Sequence, residues 1–131
     1  MTKEERRLLL IDLSARFPYN VAVDCRDEVS RFTCYLTSDM LREIQNNTSY
    51  WEYKPYLFPL SSMTEEQKED LKKEHLKDIK IMAELLKENN PQKRGTAIKY
   101  HAQDWCNKNH FDYRGLIPMG LANNATGLNI Y

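Results

Sequence analysis

Two prolines only four residues apart constrain this chain more than any other feature of its sequence. Pro55 and Pro59 interrupt the aromatic-rich segment 50–60. Each proline removes a backbone hydrogen-bond donor and fixes its own φ, so together they exclude a regular helix and a central strand. We therefore predict that residues 50–60 form an extended segment or an edge strand.

Apolar residues at helical spacing predict helices on both sides of that segment. The first helix covers 3–17, begins with a capping box formed by Thr2 and Glu5, and ends before Pro18. The other predicted helices cover 38–45, 64–90 and 96–109. The long helix carries its apolar stripe in its second half, so we expect it to project at its start and to dock at its end.

Alternating apolar residues predict two strands between the first and second helices. Val21 and Val23 share one face of a short run, and Phe32, Cys34 and Leu36 share one face of the next. A length of 131 residues fits one domain. We predict a single α+β domain over 1–131, with a short antiparallel sheet packed by the helices 3–17, 64–90 and 96–109.

Composition argues against several classes of protein. Nineteen basic residues balance nineteen acidic ones, so no global charge indicates a nucleic acid or an anionic membrane as partner. No stretch approaches the ~20 apolar residues of a membrane span, and the chain begins with a charged helix rather than a signal peptide. Three cysteines without CxxC spacing predict reduced thiols and a cytoplasmic location.

The sequence shows no recognised catalytic, metal or cofactor motif, so we predict a protein that is not an enzyme. His101, Asp104, Cys106 and His110 could each bind a metal, but they do not share one helix face. Cys106 could act as a nucleophile with either histidine, although no local signature surrounds it. A small metal- or cysteine-dependent enzyme is therefore the least favoured alternative.

Two stretches are candidates for binding a macromolecule. The aromatic segment 50–60 is rich in the residue types of protein interfaces, although its rings could instead cover one side of the sheet. The stretch 93–114 interleaves basic and aromatic residues and could contact a nucleic-acid backbone and stack on bases. Its basic candidates are Lys93, Arg94, Lys99 and Lys108.

Longer motifs add a resemblance. The stretch 54–67 reads KPYLFPLSSMTEEQ, and 109–117 reads NHFDYRGLI before a Gly-Leu-Ala at 120–122. These stretches resemble the two signatures of a family of small uncharacterised proteins found in Bacteroidetes genomes, phages and prophages. The opening helix and the ending 125–131 are similar to that family too, whereas Pro118 stands where the family usually has a charged residue.

The resemblance implies a small accessory product of a mobile element in the bacterial cytoplasm, and no established activity. Arg114, in the second signature, is its foremost functional candidate, although an internal contact with Asp112 is the competing interpretation. We predict a non-enzymatic interaction module without a cofactor, which modulates a host or defence protein. Its candidate interaction residues are Tyr50, Trp51, Tyr53, Tyr56, Phe58 and Arg114.

Overall fold

Helices and strands alternate through the first half of the chain, and the described part of the second half contains further helices and a closing turn. The computed structural model describes residues 1–88, with side chains as far as residue 84, and residues 100–131. The elements are α1 (Lys3–Arg16), β1 (Ala22–Arg26), β2 (Arg31–Tyr35), α2 (Ser38–Asn46), β3 (Glu52–Pro59), α3 (Glu65–Glu88), α4 (His101–Lys108), β4 (Phe111–Asp112) and β5 (Asn123–Asn124). The predicted helices over 3–17 and 38–45 are confirmed to within one residue, and the predicted helix over 64–90 is confirmed from residue 65 as far as residue 88. Residues 89 and 90 lie outside the described residues. The predicted start of the last helix at 96 lies outside the described residues.

Local capping fixes where α1 and α3 begin. The backbone N–H of Glu5 donates to the Thr2 hydroxyl at 3.1 Å, and the Thr2 N–H donates to the Glu5 carboxylate at 3.1 Å. Thr64 and Gln67 exchange the same two bonds at 2.9 and 3.1 Å. Each box satisfies two backbone donors that a helix N-terminus would otherwise leave unpaired, and the box at Thr2 is the one predicted from its spacing.

The sheet has the order β2-β1-β3-β4, and β5 also pairs with β3. The longer strands β1, β2 and β3 are antiparallel, as predicted, while the two-residue strands β4 and β5 run parallel to β3. The structure is a single small α+β domain, which confirms the predicted fold class. The sheet is mixed because the C-terminal segment returns to β3 in the same direction.

The segment 50–60 is extended, as predicted, but the exclusion of a central strand is wrong. β3 lies between β1 and the two short strands, in the middle of the sheet. Its two prolines lie at positions where a missing backbone N–H disrupts the pairing of the strand least. Pro55 marks the point at which β3 changes partner, from β1 to β5, and Pro59 is the last residue of the strand. A central strand tolerates proline at such breaks in the ladder.

The main core lies between one face of the sheet and the first two helices. Leu9 and Leu13 of α1 and Ile44 of α2 pack against Val23 of β1 and Leu57 of β3. A smaller cluster on the opposite face of the sheet consists of Ala22, Tyr56 and Ala125. The uncharged segment 115–131 packs against the body and contributes buried residues to both clusters.

The long helix α3 packs differently from the prediction. Among the described residues its main contact is with α4, whose first N–H groups it caps: the Asp78 carboxylate accepts from His101 N at 2.7 Å and from Ala102 N at 3.0 Å. Leu76, Ile79 and Met82 remain 56%, 51% and 44% exposed. The expected docking of this apolar stripe is therefore wrong for the described side chains.

Within the described parts of the chain, no helix is long and apolar enough to cross a membrane.

A buried ion pair connects α1 to the C-terminal part of the chain. Arg16 donates to Asp12 through Nε at 2.8 Å, and both side chains have no exposed surface. Nη2 of Arg16 also donates to the backbone oxygen of Phe111 at 2.7 Å. Arg114 adds a second guanidinium to Asp12 at 2.9 Å. Burial of these charges requires such partners, because an isolated ion in the interior is strongly unfavourable.

We expect Asp12→Asn to destabilise the fold severely. The amide keeps the shape of the side chain but leaves Arg16 and Arg114 without their shared carboxylate. Breaking a buried pair in this way lowers the free energy of unfolding by about 3–5 kcal/mol, measurable by urea denaturation. Arg42→Gln is the control, since it breaks the exposed pair with Asp39 and should change that free energy by less than about 1 kcal/mol. Equally small effects of the two variants would contradict a structural role for the buried pair.

Candidate functional site

A cleft of about 430 Å³ opens between α1, the end of α2, the start of β3 and the turn at 119–121. Its base is apolar, because Leu9, Ile44 and Leu121 line it and are buried. Tyr50 and Trp51 also line it. A concave surface of this size, with an apolar base and a few polar groups, is typical of a binding site.

A hydrogen bond between β3 and α2 fixes one wall of the cleft. The Tyr53 hydroxyl donates to Oε2 of Glu43 at 2.5 Å. Burial and the neighbouring Glu43 carboxylate raise the pKa of Tyr53 to about 12. The phenol therefore stays protonated near neutral pH and keeps donating, so this wall does not change with modest changes of pH.

The charges of the cleft are mostly satisfied within the protein. Glu5 belongs to the capping box of α1, Glu43 accepts from Tyr53, and Glu52 pairs with Lys54 at 3.3 Å. Arg6 is half-buried in the cleft and has no carboxylate partner among the described residues. A free guanidinium beside an apolar base suits a ligand with a carboxylate next to an apolar group.

The predicted aromatic candidates divide into exposed and buried residues. Tyr50 is 95% exposed, and Trp51 is half-buried with its ring edge against another aromatic ring. Tyr53 and Tyr56 are buried, and Phe58 is half-buried. Among these aromatic candidates only Tyr50 is therefore fully at the surface, because alternate side chains of β3 point into the two cores.

Arg114 is internal, but its partner is not the predicted one. Its guanidinium pairs with Asp12, whereas Asp112 accepts two backbone N–H bonds from the turn that follows it, at 2.8 and 2.9 Å. The Tyr113 ring lies against the guanidinium groups of both Arg114 and Arg16, at 4.6 and 5.4 Å from its centroid. The predicted contact with Asp112 is wrong, and the Arg114 guanidinium is paired with Asp12 inside the fold.

His101 and Asp104 have separate partners on other elements. The ring of His101 lies 3.1 Å from the Asp78 carboxylate of α3. Burial alone would raise the pKa of Asp78, but the hydrogen bonds from the backbone N–H groups of Ala102 and His101 and from the His101 ring lower it. Asp104 accepts a hydrogen bond from the Tyr19 hydroxyl. Both residues therefore join helices to their neighbours. No cluster of three or more metal-ligand side chains occurs within the described ranges.

Cys106 is buried, and His110 is half-buried. Burial raises the pKa of the Cys106 thiol, which makes it less reactive. The His110 ring stacks on Tyr131 with centroids 3.7 Å apart, and its Nδ1 is buried without a hydrogen-bond partner among the described residues. These are the features of packed side chains.

The basic stretch is only partly within the described residues. Lys93, Arg94 and Lys99 lie outside them, and Lys108 is exposed on α4. Trp105 stacks on Phe111 with centroids 5.6 Å apart, so its ring is engaged inside the protein. The nucleic-acid interface over 93–114 therefore stays a prediction.

A second, almost wholly apolar groove of about 650 Å³ runs between α3 and α4. Leu60, Leu71, Leu76, Ala102 and Cys106 line it. It lies beside the first half of α3, whose start is exposed as the sequence predicted.

Comparisons with protein-family models, with curated proteins and with solved structures give no match for this chain. The assignment of a function therefore depends on the site itself and on the resemblance of the two signature stretches.

Sequence reasoning missed the residues that shape the cleft. Arg6 and Glu43 are charged residues at ordinary helix positions, so nothing in the neighbouring sequence distinguishes them from exposed helix residues. Asp12 and Arg16 did carry a signal: they are four residues apart on the same helix face as Leu9 and Leu13. Opposite charges on an apolar stripe indicate a buried pair.

We expect His110 to make the protein acid-sensitive. Burial, together with the positive charge of Arg16, lowers the pKa of His110 from 6.5 to about 4. Between these two values the unfolded state binds more protons than the folded state. The free energy of unfolding should therefore fall as the pH falls through this window, by up to about 1.4 kcal/mol per pH unit.

His110→Asn is the matched variant, because asparagine tolerates the positive φ of 63° at this position and does not titrate. Urea denaturation at several pH values should show a flatter pH dependence in the variant between pH 6.5 and 4. An unchanged slope would show that other groups cause the acid sensitivity.

Proposed function

We propose that this chain is a non-enzymatic binding module for a protein partner, and that the partner docks in the cleft between α1, α2 and β3. The observation that carries the proposal is the exposure of Tyr50 and the partial exposure of Trp51 beside an apolar base, together with Arg6, which has no carboxylate partner among the described residues. Exposed aromatic and arginine side chains around a dry centre are the usual anchors of protein interfaces.

The cleft defines the chemistry of the partner. An apolar side chain of the partner would cover Leu9, Ile44 and Leu121, and an adjacent carboxylate would accept hydrogen bonds from Arg6. The carboxylates of the cleft and Lys54 already have partners within the protein. Docking would therefore not remove water from these groups while they are unpaired. A short segment with a hydrophobic residue next to Asp, Glu or a C-terminal carboxylate fits these requirements.

The biological setting is part of the proposal. The signatures at 54–67 and 109–117 support membership of the phage- and prophage-associated family that they resemble. We accordingly propose an accessory protein of a mobile element, acting in the bacterial cytoplasm on a host or defence protein. The second candidate remains a nucleic-acid-associated protein that uses the stretch 93–114.

We expect the tagged protein to retain a stoichiometric protein from a Bacteroidetes host lysate, with and without nuclease. Tyr50→Ala and Arg6→Gln should each weaken binding of that protein by about 30-fold or more, as truncation of an interface anchor does. Binding of the purified partner, measured by calorimetry, gives the ratio of dissociation constants.

Tyr35→Ala is the matched control, since Tyr35 is an exposed tyrosine on β2 that does not line the cleft. It should bind the partner as the unaltered protein does. Retention that disappears with nuclease would favour the nucleic-acid alternative. Equal binding by all three variants would exclude the cleft as the docking site.

A further inference from the structure

Two of the three cysteines face each other across the β1–β2 hairpin. Cys25 lies opposite Phe32 and Cys34 lies opposite Val23, so the cysteines are diagonal neighbours on one face of the sheet. Their Sγ atoms are 3.2 Å apart, and both thiols are free. A disulfide bond is about 2.05 Å long, so the sulfurs need to approach each other by only about 1.2 Å.

We propose that Cys25 and Cys34 are a redox-active thiol pair, a modification site that reacts with low-molecular-weight disulfides and closes to a cross-strand disulfide. Cys25 is fully buried and Cys34 is half-buried, so the incoming disulfide meets Cys34 first. This site is independent of the proposed docking in the cleft.

The reaction is two successive thiol–disulfide exchanges. Cys34 loses its proton to solvent, and its sulfur attacks one sulfur of the small disulfide, which breaks the S–S bond and releases one small thiolate. Cys25 then loses its proton, and its sulfur attacks Cys34 and expels the second small thiolate. Both thiolates take up protons, so the protein loses two hydrogens and one small disulfide becomes two thiols.

The surroundings of the pair set the rate of the second exchange. Burial and the adjacent Cys34 raise the pKa of Cys25 to about 12, so little of it is thiolate at neutral pH. Closure of the bond should therefore accelerate as the pH rises, by roughly tenfold per pH unit below that pKa.

The position of the pair brings the new bond close to the cleft. Cys25 also lies opposite Tyr53 in the β1–β3 register, and Tyr53 forms the wall that is bonded to Glu43. The disulfide would thus form on the strand next to that wall.

The test uses the whole folded chain and oxidised glutathione as the probe. After incubation at several pH values between 7 and 9, the protein is unfolded, alkylated and weighed by mass spectrometry. We expect the number of alkylated cysteines to fall from three to one, because the sequence has three and the bond uses two. Trypsin cuts at Arg26 and Arg31, between the two cysteines, so a linked pair of peptides identifies the bond.

Two variants serve as controls. Cys106→Ala should lose both remaining thiols in the same way and at the same rate. Cys25→Ser should stop at the first exchange and carry one glutathione on Cys34. If Cys25→Ser does not fold, the peptide map of the unaltered protein decides the question.

Three results would overturn the proposal: persistence of all three thiols in the unaltered protein, a stable glutathione adduct on Cys34 in that protein, or a bond that joins two chains.

Discussion

A single carboxylate on the first helix binds two guanidinium groups, one from the same helix and one from a distant part of the chain. Asp12 accepts hydrogen bonds from Arg16, one turn further along α1, and from Arg114, in the turn after β4. Arg16 in turn donates to the backbone of Phe111. Because Asp12 and Arg16 have no contact with water, each needs the other to remain charged in the interior. The arrangement of α1 relative to the C-terminal turn, and hence the cleft between them, depends on this cluster.

The parts of the fold that depend on neighbouring residues were predictable from the sequence. The capping boxes at Thr2 and Thr64 need only a partner three residues away, and the helices follow from apolar spacing along a few turns. The antiparallel pairing of β1 with β2 requires only a short link between two alternating runs. In each case the interaction that determines the structure lies within the same short stretch of sequence.

The parts that depend on distant residues were not predictable. The prolines of β3 led to a wrong prediction of the position of this strand in the sheet. The pairing partner of β3 changes at Pro55, and this change depends on distant strands rather than on the neighbouring sequence. Arg6 and Glu43 belong to the cleft only because α1 and α2 meet over β3. The exposure of Tyr50 and the burial of Tyr53 likewise follow from which side of the strand faces the core.

The long sequence separation of the contacts made by Arg16 and Arg114 also has a consequence for synthesis of the protein. The bond between Arg16 and Phe111 spans 95 residues, and that between Arg114 and Asp12 spans 102. Contacts of such long range form slowly and late in folding. During synthesis α1 is made before Arg114, so the apolar face of this helix is exposed until its C-terminal partners follow. Until then the growing chain exposes an apolar surface of the kind that chaperones bind.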